Sequence, residues 1–192
     1  MSRVPDAHFE ARYRAEADPW RLEPRWYERR TRALTVASLS RERYERAFEP
    51  ACALGLLTAM LAPRCDQLIA VDASPTAAAS AAHRLAGFGH VEVGCMSVPD
   101  AWPSGRFDLI VLSEVGYYLR RDTMRRLARD AAARLTDDGE LLAVHYRPAV
   151  AEHLIDGDTV HAVLHDTPGL RSRLSHAEPL FLIDGFDRAA AG

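Results

Sequence analysis

The sequence predicts an α/β fold with a mostly parallel sheet covered by helices on both faces, and three observations carry that prediction. From Asp66 onward, short β-branched or apolar runs alternate with segments of helical periodicity, the pattern of right-handed βαβ units. The run LIVL at 109–112 is continuously apolar, as a strand buried on both faces requires. The chain has 192 residues, 48% of them hydrophobic, which suits one core better than two.

Residues 1–45 read as an amphipathic helical lead-in bearing Trp20, Trp26 and Tyr27, placed to cap a site. RAFEPA (46–51) reads as the first strand, and LGLLTAMLAPR as a helix ending at Pro63. QLIAVDA and HVEVGC are the next strands, joined by the alanine-rich helix former TAAASAAHRLA (76–86). FDLIVLSEV and GELLAVHYR enclose LRRDTMRRLARDAAARL, whose apolar residues recur at helical spacing. RLSHAEPLFLIDGFDR carries two strand-like runs around Pro179, an antiparallel hairpin closing one sheet edge. With no internal repeat, the expected organisation is one domain over 1–192, a helical cap (1–45) on a core (46–192).

Composition narrows the chemistry. A net charge of -3 argues against nucleic-acid or membrane-surface binding through a basic field. All 24 basic residues are arginine, so Schiff-base and phosphate-loop lysine mechanisms are excluded. Cys52, Cys65 and Cys95 are odd in number and form no CxxC pair, which disfavours a disulfide framework and a zinc site. No apolar run reaches the roughly 18 residues of a membrane span, and the first residues lack a signal-peptide core. A cytoplasmic location is expected.

In open parallel sheets, ligands sit beyond the carboxyl ends of the strands, beside the first strand-to-helix turn. Here that turn runs Glu49-Pro50-Ala51-Cys52-Ala53-Leu54-Gly55, an E-x-G-x-G-x-G spacing with alanine at two glycine positions. Glycine serves such turns because a missing Cβ permits positive φ and close ligand approach; alanine is expected to keep the closeness and lose the positive φ. About 23 positions after Glu49, the second strand ends in Val71-Asp72-Ala73-Ser74-Pro75. Asp72 reads either as an acceptor for two ribose hydroxyls or as a helix cap.

These residues carry a family resemblance. FEPACALGLLTAMLAPRCDQLIAVDASP, VPDAWPSGRFDLIVLSEVGYYL, GELLAVHYR and EHLIDGDTVH together resemble the NodS-like branch of class I S-adenosylmethionine-dependent methyltransferases. The likeness runs from DPWRLEPRWYERR to LFLIDGFDR, with FDLIVLSEVGYYL its most specific part. It implies a Rossmann-like sandwich with a seven-stranded sheet, one strand antiparallel near the C-terminus, and S-adenosylmethionine at the carboxyl edge. It also implies N-methylation of a small polar acceptor such as an amino sugar.

By position, the resemblance gives Glu49 the turn or the methionine amino group, and runs the backbone of Ala51, Cys52, Ala53 and Gly55 beneath the cofactor. Asp72 takes the ribose beside Ala73 and Ser74. Cys95, Met96, Ser97 and Val98 follow the third strand at the adenine edge; many relatives have an acid there, and here a backbone or Ser97 contact remains. Ser113, Glu114 and Tyr118 lie beside the methionine portion and the acceptor. Apart from the resemblance, the aromatics of the lead-in, Tyr27 among them, read either as a cover over the sulfonium or as anchors of the capping helix on the core.

Methyl transfer to an amine needs an unprotonated lone pair at close range. Glu114 is the candidate to hold or deprotonate an incoming ammonium, with Tyr117 and Tyr118 lining the pocket and His145 the best placed imidazole. Each has a plainer reading: a helix-start carboxylate for Glu114, packing for the tyrosines, a satisfied structural group for His145. His153, Asp156 and Asp158 in EHLIDGDTVH are candidates to bind a polar acceptor. A metal site there is disfavoured, because His161 and His165 align only on a helix and no third ligand is evident. Two rivals keep the fold: a noncatalytic cofactor- or partner-binding protein, and a nicotinamide oxidoreductase, which the lack of room for a substrate domain disfavours.

Overall fold

The computed structural model describes residues 2–189, which divide into two compact bodies. Residues 5–102 form the first, containing α1 (Asp6–Ala15), α2 (Trp26–Ala37), β1 (Tyr44–Pro50), α3 (Leu56–Leu61), β2 (Cys65–Asp72), α4 (Pro75–Arg84) and β3 (Val91–Cys95). Its strands lie in the order β3-β2-β1, all parallel, with Glu49 opposite Ala70 and Asp72 opposite Cys95. Both candidate carboxylates therefore end up at the carboxyl edges of neighbouring strands. The α4 helix starts where Ser74 Oγ accepts the Ala77 amide at 3.1 Å and Pro75 occupies the first turn. The helix expected to end at Pro63 is shorter: α3 stops at Leu61 and tightens into a 3₁₀ turn (Ala62–Arg64), because proline has no amide to continue the ladder.

The second body runs from Pro103 and includes the first few residues of the chain. It holds β4 (Phe107–Ser113), a 3₁₀ turn (Gly116–Tyr118), α5 (Arg121–Arg134), β5 (Leu135–Tyr146), α6 (Gly157–His165), β6 (Leu170–Ala177) and β7 (Phe181–Arg188). Strand order is β4-β5-β7-β6; β4 and β5 are parallel, while β7 is antiparallel to both neighbours. The hairpin expected around Pro179 is present, with its second strand inserted beside β5. Phe107, Leu109, Ile110, Val111 and Leu112 are fully buried, as the LIVL run required.

The lead-in is not helical throughout. Arg3 pairs with Leu119, and the Val4 amide donates to Tyr118 at 2.9 Å, so residues 2–4 are extended. Pro5 fixes an extended φ before α1. Among the described residues no helix is long and apolar enough to cross a membrane.

Candidate active site

The turn after β1 keeps the conformation that glycine would give it. Ala51 (φ 57°), Ala53 (φ 51°) and Gly55 (φ 72°) all lie in the left-handed region, so the expectation that alanine would lose positive φ is corrected. Tertiary contacts impose the geometry. The Cys52 amide donates to Val71 at 3.0 Å, the Ala53 amide to Asp72 Oδ2 at 3.0 Å and the Gly55 amide to Cys52 at 2.9 Å. Cys52 packs with Ala70, Ala81 and Leu85, and Leu54 with Tyr13 and Ala77. At Gly55 a Cβ would crowd Ala81 Cβ and Leu85 Cδ1 at 3.1 Å, on top of the strain of its left-handed φ.

Each left-handed alanine costs about 1–2 kcal/mol, while glycine would loosen the unfolded chain by about 0.4–1 kcal/mol. The first effect wins. Ala51→Gly and Ala53→Gly should each stabilise the fold by roughly 0.5 kcal/mol in urea unfolding. Because the turn already has its shape, affinity for S-adenosylhomocysteine should change by less than about threefold.

Asp72 ties this turn to the next one. It is 6% exposed; Oδ2 accepts from Ala53 and Oδ1 accepts the Ser74 amide at 2.8 Å. Burial raises its pKa, against the hydrogen bonds from Ser74 and Ala53, with Asp6 adding to the rise. The cap and ribose readings are therefore compatible, because each carboxylate oxygen has two lone pairs and has used one on an amide. Met96 donates its amide to the Asp72 carbonyl at 2.9 Å, the Ala73 carbonyl lies 3.7 Å from Cys95 Sγ, and Val98 is buried.

Glu49 is buried, and its Oε2 has no hydrogen-bond partner. Burial pushes its pKa up to about 8, with Thr58 opposing and Asp72 reinforcing. The folded value exceeds the ordinary 4.5, so the folded protein holds an extra proton across that window. Stability of the ligand-free protein should fall as pH rises from about 4.5 through about 8, and Glu49→Gln should flatten that slope in melting curves.

Three residues of the lead-in join this group without any signal in the sequence. Glu10 accepts from Ser74 Oγ at 2.6 Å and from the Thr76 amide and hydroxyl at 3.1 and 2.8 Å. Asp6 accepts from Ser97 Oγ at 3.1 Å, so a carboxylate missing from the post-β3 loop reaches it from α1. Tyr13 packs against Leu54 and Ala77, with Trp20 and Ala53 alongside. Trp20 thus anchors α1, stacked edge-on with Tyr13. Trp26 is 70% exposed, and Tyr27 sits half-buried in the first turn of α2.

The second body gathers the remaining candidates at the end of β4. Ser113 closes the strand, and Glu114 follows with φ 56°, a left-handed conformation held by its contacts. Glu114 Oε2 accepts the Tyr117 hydroxyl in a short hydrogen bond and the Tyr146 amide at 3.2 Å. Tyr117 stacks on His153, ring centroids 3.6 Å apart, and Tyr118 meets both rings edge-on. Burial lowers the His153 pKa. His145 is fully buried with both ring nitrogens engaged, an arrangement that favours the second of its two readings, a satisfied structural group. Asp156 caps α6 by accepting the Thr159 amide at 2.7 Å, and Asp158 pairs with Arg147 at 2.8 Å. These two serve the helix and its flank. His161 and His165 do align on α6, facing Asp184 at 2.7 and 2.9 Å, but at hydrogen-bond distances; among the described residues no cluster suits a metal ion.

The family model for nodulation protein S (NodS) matches residues 8–173. This chain belongs to the NodS family. Nodulation protein S of Sinorhizobium fredii is 30% identical over 87% of this chain and 80% of its own. The crystal structure of the N-methyltransferase NodS from Bradyrhizobium japonicum, in complex with S-adenosyl-L-homocysteine, is 26% identical. It superposes with a TM-score of 0.86 over 96% of this chain and 99% of its own. A solved Pseudomonas syringae protein is 46% identical, with a TM-score of 0.77 over 85% of this chain and all of its own. The resemblance read from the sequence therefore holds, as does the fold class: a seven-stranded sheet, mostly parallel, with antiparallel C-terminal strands. As a NodS-family member the chain is an S-adenosylmethionine-dependent methyltransferase. Its residues fit that cofactor: the left-handed turn, Asp72 with lone pairs to spare, and the buried, unpartnered Glu49 Oε2, suited to an ammonium.

Proposed function

We propose that this chain, as a single methyltransferase domain, transfers a methyl group from S-adenosylmethionine to the nitrogen of a small polar acceptor such as an amino sugar. The observation that carries this reading is the carboxylate of Glu114, held by the Tyr117 hydroxyl and the Tyr146 amide at the carboxyl end of β4. The Bradyrhizobium relative, an N-methyltransferase, supports nitrogen as the nucleophile.

When bound, S-adenosylmethionine supplies an electrophilic methyl on a sulfonium. The chain's own groups do the rest. The turn at Ala51, Ala53 and Gly55 carries the cofactor, Glu49 receives its methionine ammonium and Asp72 its ribose. An amino sugar arrives mostly as an ammonium, and Glu114 takes its proton, leaving the lone pair that displacement requires. Tyr117 and Tyr118 give the acceptor aromatic surface and hydroxyls.

The test is transfer of labelled methyl to three sugars: a chitooligosaccharide deacetylated at its non-reducing end, its fully acetylated counterpart, and a hydroxyl-only oligosaccharide. Label should appear on the first alone. Label on either of the others would overturn nitrogen as the nucleophile. Binding of S-adenosylhomocysteine without transfer to any amine would favour a noncatalytic cofactor-binding role.

A further inference from the structure

Behind the Gly116–Tyr118 turn runs a row of buried polar groups that the proposed chemistry does not use. The Gly116 amide donates to His145 Nε2 at 3.0 Å, and His145 Nδ1 lies 3.2 Å from His161 Nε2. His161 Nδ1 lies 2.7 Å from Asp184 Oδ2, and His165 Nε2 reaches the same oxygen at 2.9 Å. His145, His161 and Asp184 are all at least nine-tenths buried, on β5, α6 and β7.

The ends of this row fix its protons. A backbone amide can only donate, so His145 Nε2 carries a lone pair and its proton sits on Nδ1. That proton faces His161 Nε2, which must accept; His161 then carries its own proton on Nδ1 and donates it to Asp184. Burial works against the Asp184 charge, yet hydrogen bonds from His161, Ser175 and His165 hold its pKa at about 2, so the row ends on a carboxylate. A second proton on His145 would set N–H against the Gly116 N–H. Burial, with His161 and His153 nearby, keeps the His145 pKa well below the ordinary imidazole value.

A ring so placed cannot relay a proton to a substrate, but it can hold a turn. We infer that His145 is a positioning residue: its Nε2 lone pair grips the Gly116 amide, and through it the turn carrying Glu114 and Tyr117, with the ring's tautomer set by His161 and Asp184. This rests on the proposed roles of Glu114 and Tyr117. Packing supports it independently of the hydrogen bonds. A Cβ at residue 116 would meet Val160 Cγ1 at 2.5 Å and His145 Nε2 at 3.1 Å, so only glycine lets the amide come that close to the ring. A Cβ at residue 157 would meet the Tyr146 carbonyl at 2.4 Å, so α6 begins hard against the stretch of β5 whose Tyr146 amide serves Glu114. Tyr117 itself meets the His145 ring edge-on, centroids 5.5 Å apart.

The experiment has two arms. In the wild-type chain, nitrogen NMR of the histidine rings should place the His145 proton on Nδ1 at neutral pH, with the Gly116 amide slow to exchange. His145→Gln retains an acceptor near the Nε2 position, whereas His145→Leu does not. The leucine variant should exchange the Gly116 amide about 100-fold faster. It should lose about 30-fold in kcat for methyl transfer to the deacetylated chitooligosaccharide, with unchanged affinity for S-adenosylhomocysteine. The glutamine variant should recover most of both. A proton on His145 Nε2 in the wild type, or a leucine variant with a protected Gly116 amide and full turnover, would overturn the inference. Absence of turnover in the wild type would count against the amino-sugar acceptor alone, because tautomer and amide exchange decide the positioning role without an acceptor.

Discussion

Asp72→Ala is expected to weaken S-adenosylhomocysteine binding by about 100-fold or more and to lower stability by about 2–4 kcal/mol. The residue is 6% exposed and is the acceptor for two backbone amides, Ala53 at 3.0 Å and Ser74 at 2.8 Å. Truncation strands both donors away from water, and each stranded donor costs about 1–3 kcal/mol. It also frees the left-handed turn from one of the contacts that impose its strain, so the turn relaxes out of the shape proposed to hold the cofactor. Asp72→Asn should fall between, since its amide oxygen still accepts one bond while its NH₂ opposes the other. Urea unfolding and calorimetry on the same variants separate the two effects. An Asp72→Ala protein that binds S-adenosylhomocysteine like its parent would remove Asp72 from the cofactor site.

Glu114→Gln should lower kcat for transfer to the deacetylated chitooligosaccharide by about 100-fold while leaving S-adenosylhomocysteine affinity within about threefold. The amide keeps the size of the side chain and an oxygen for the Tyr117 hydroxyl and the Tyr146 amide, so the turn should survive. What it loses is the charge and the basicity on which the proposed proton removal depends. Steady-state kinetics checks the split: full turnover in the glutamine variant would mean that the acceptor loses its proton elsewhere.

Much of this architecture was legible in the sequence because it rests on periodicity. The continuous LIVL run announced a doubly buried strand, and the spacing from Glu49 to Asp72 announced two neighbouring strand ends at one sheet edge. The left-handed alanines were not legible, because propensity argues against positive φ there and only Asp72, Val71 and the Cys52 packing impose it. Glu10 and Asp6 meet Ser74 and Ser97 across 64 and 91 positions, a pairing that no local pattern encodes. The i,i+4 spacing of His161 and His165 was visible; that both converge on Asp184 depends on β7 inserting beside β5. The strand-end position of His145 fits a reactive group and a satisfied structural one equally, and only its burial with two occupied nitrogens favours the second.

With alanine at two glycine positions, the turn after β1 keeps the left-handed shape proposed to cradle the cofactor. Calorimetric titration of the wild-type chain with S-adenosylhomocysteine, beside the Ala51→Gly/Ala53→Gly double variant, tests it most directly. Saturable binding with a Kd of about 1–100 μM is expected for both proteins, within a few-fold of each other. No binding by the wild type at about 1 mM, with binding restored in the double variant, would contradict it.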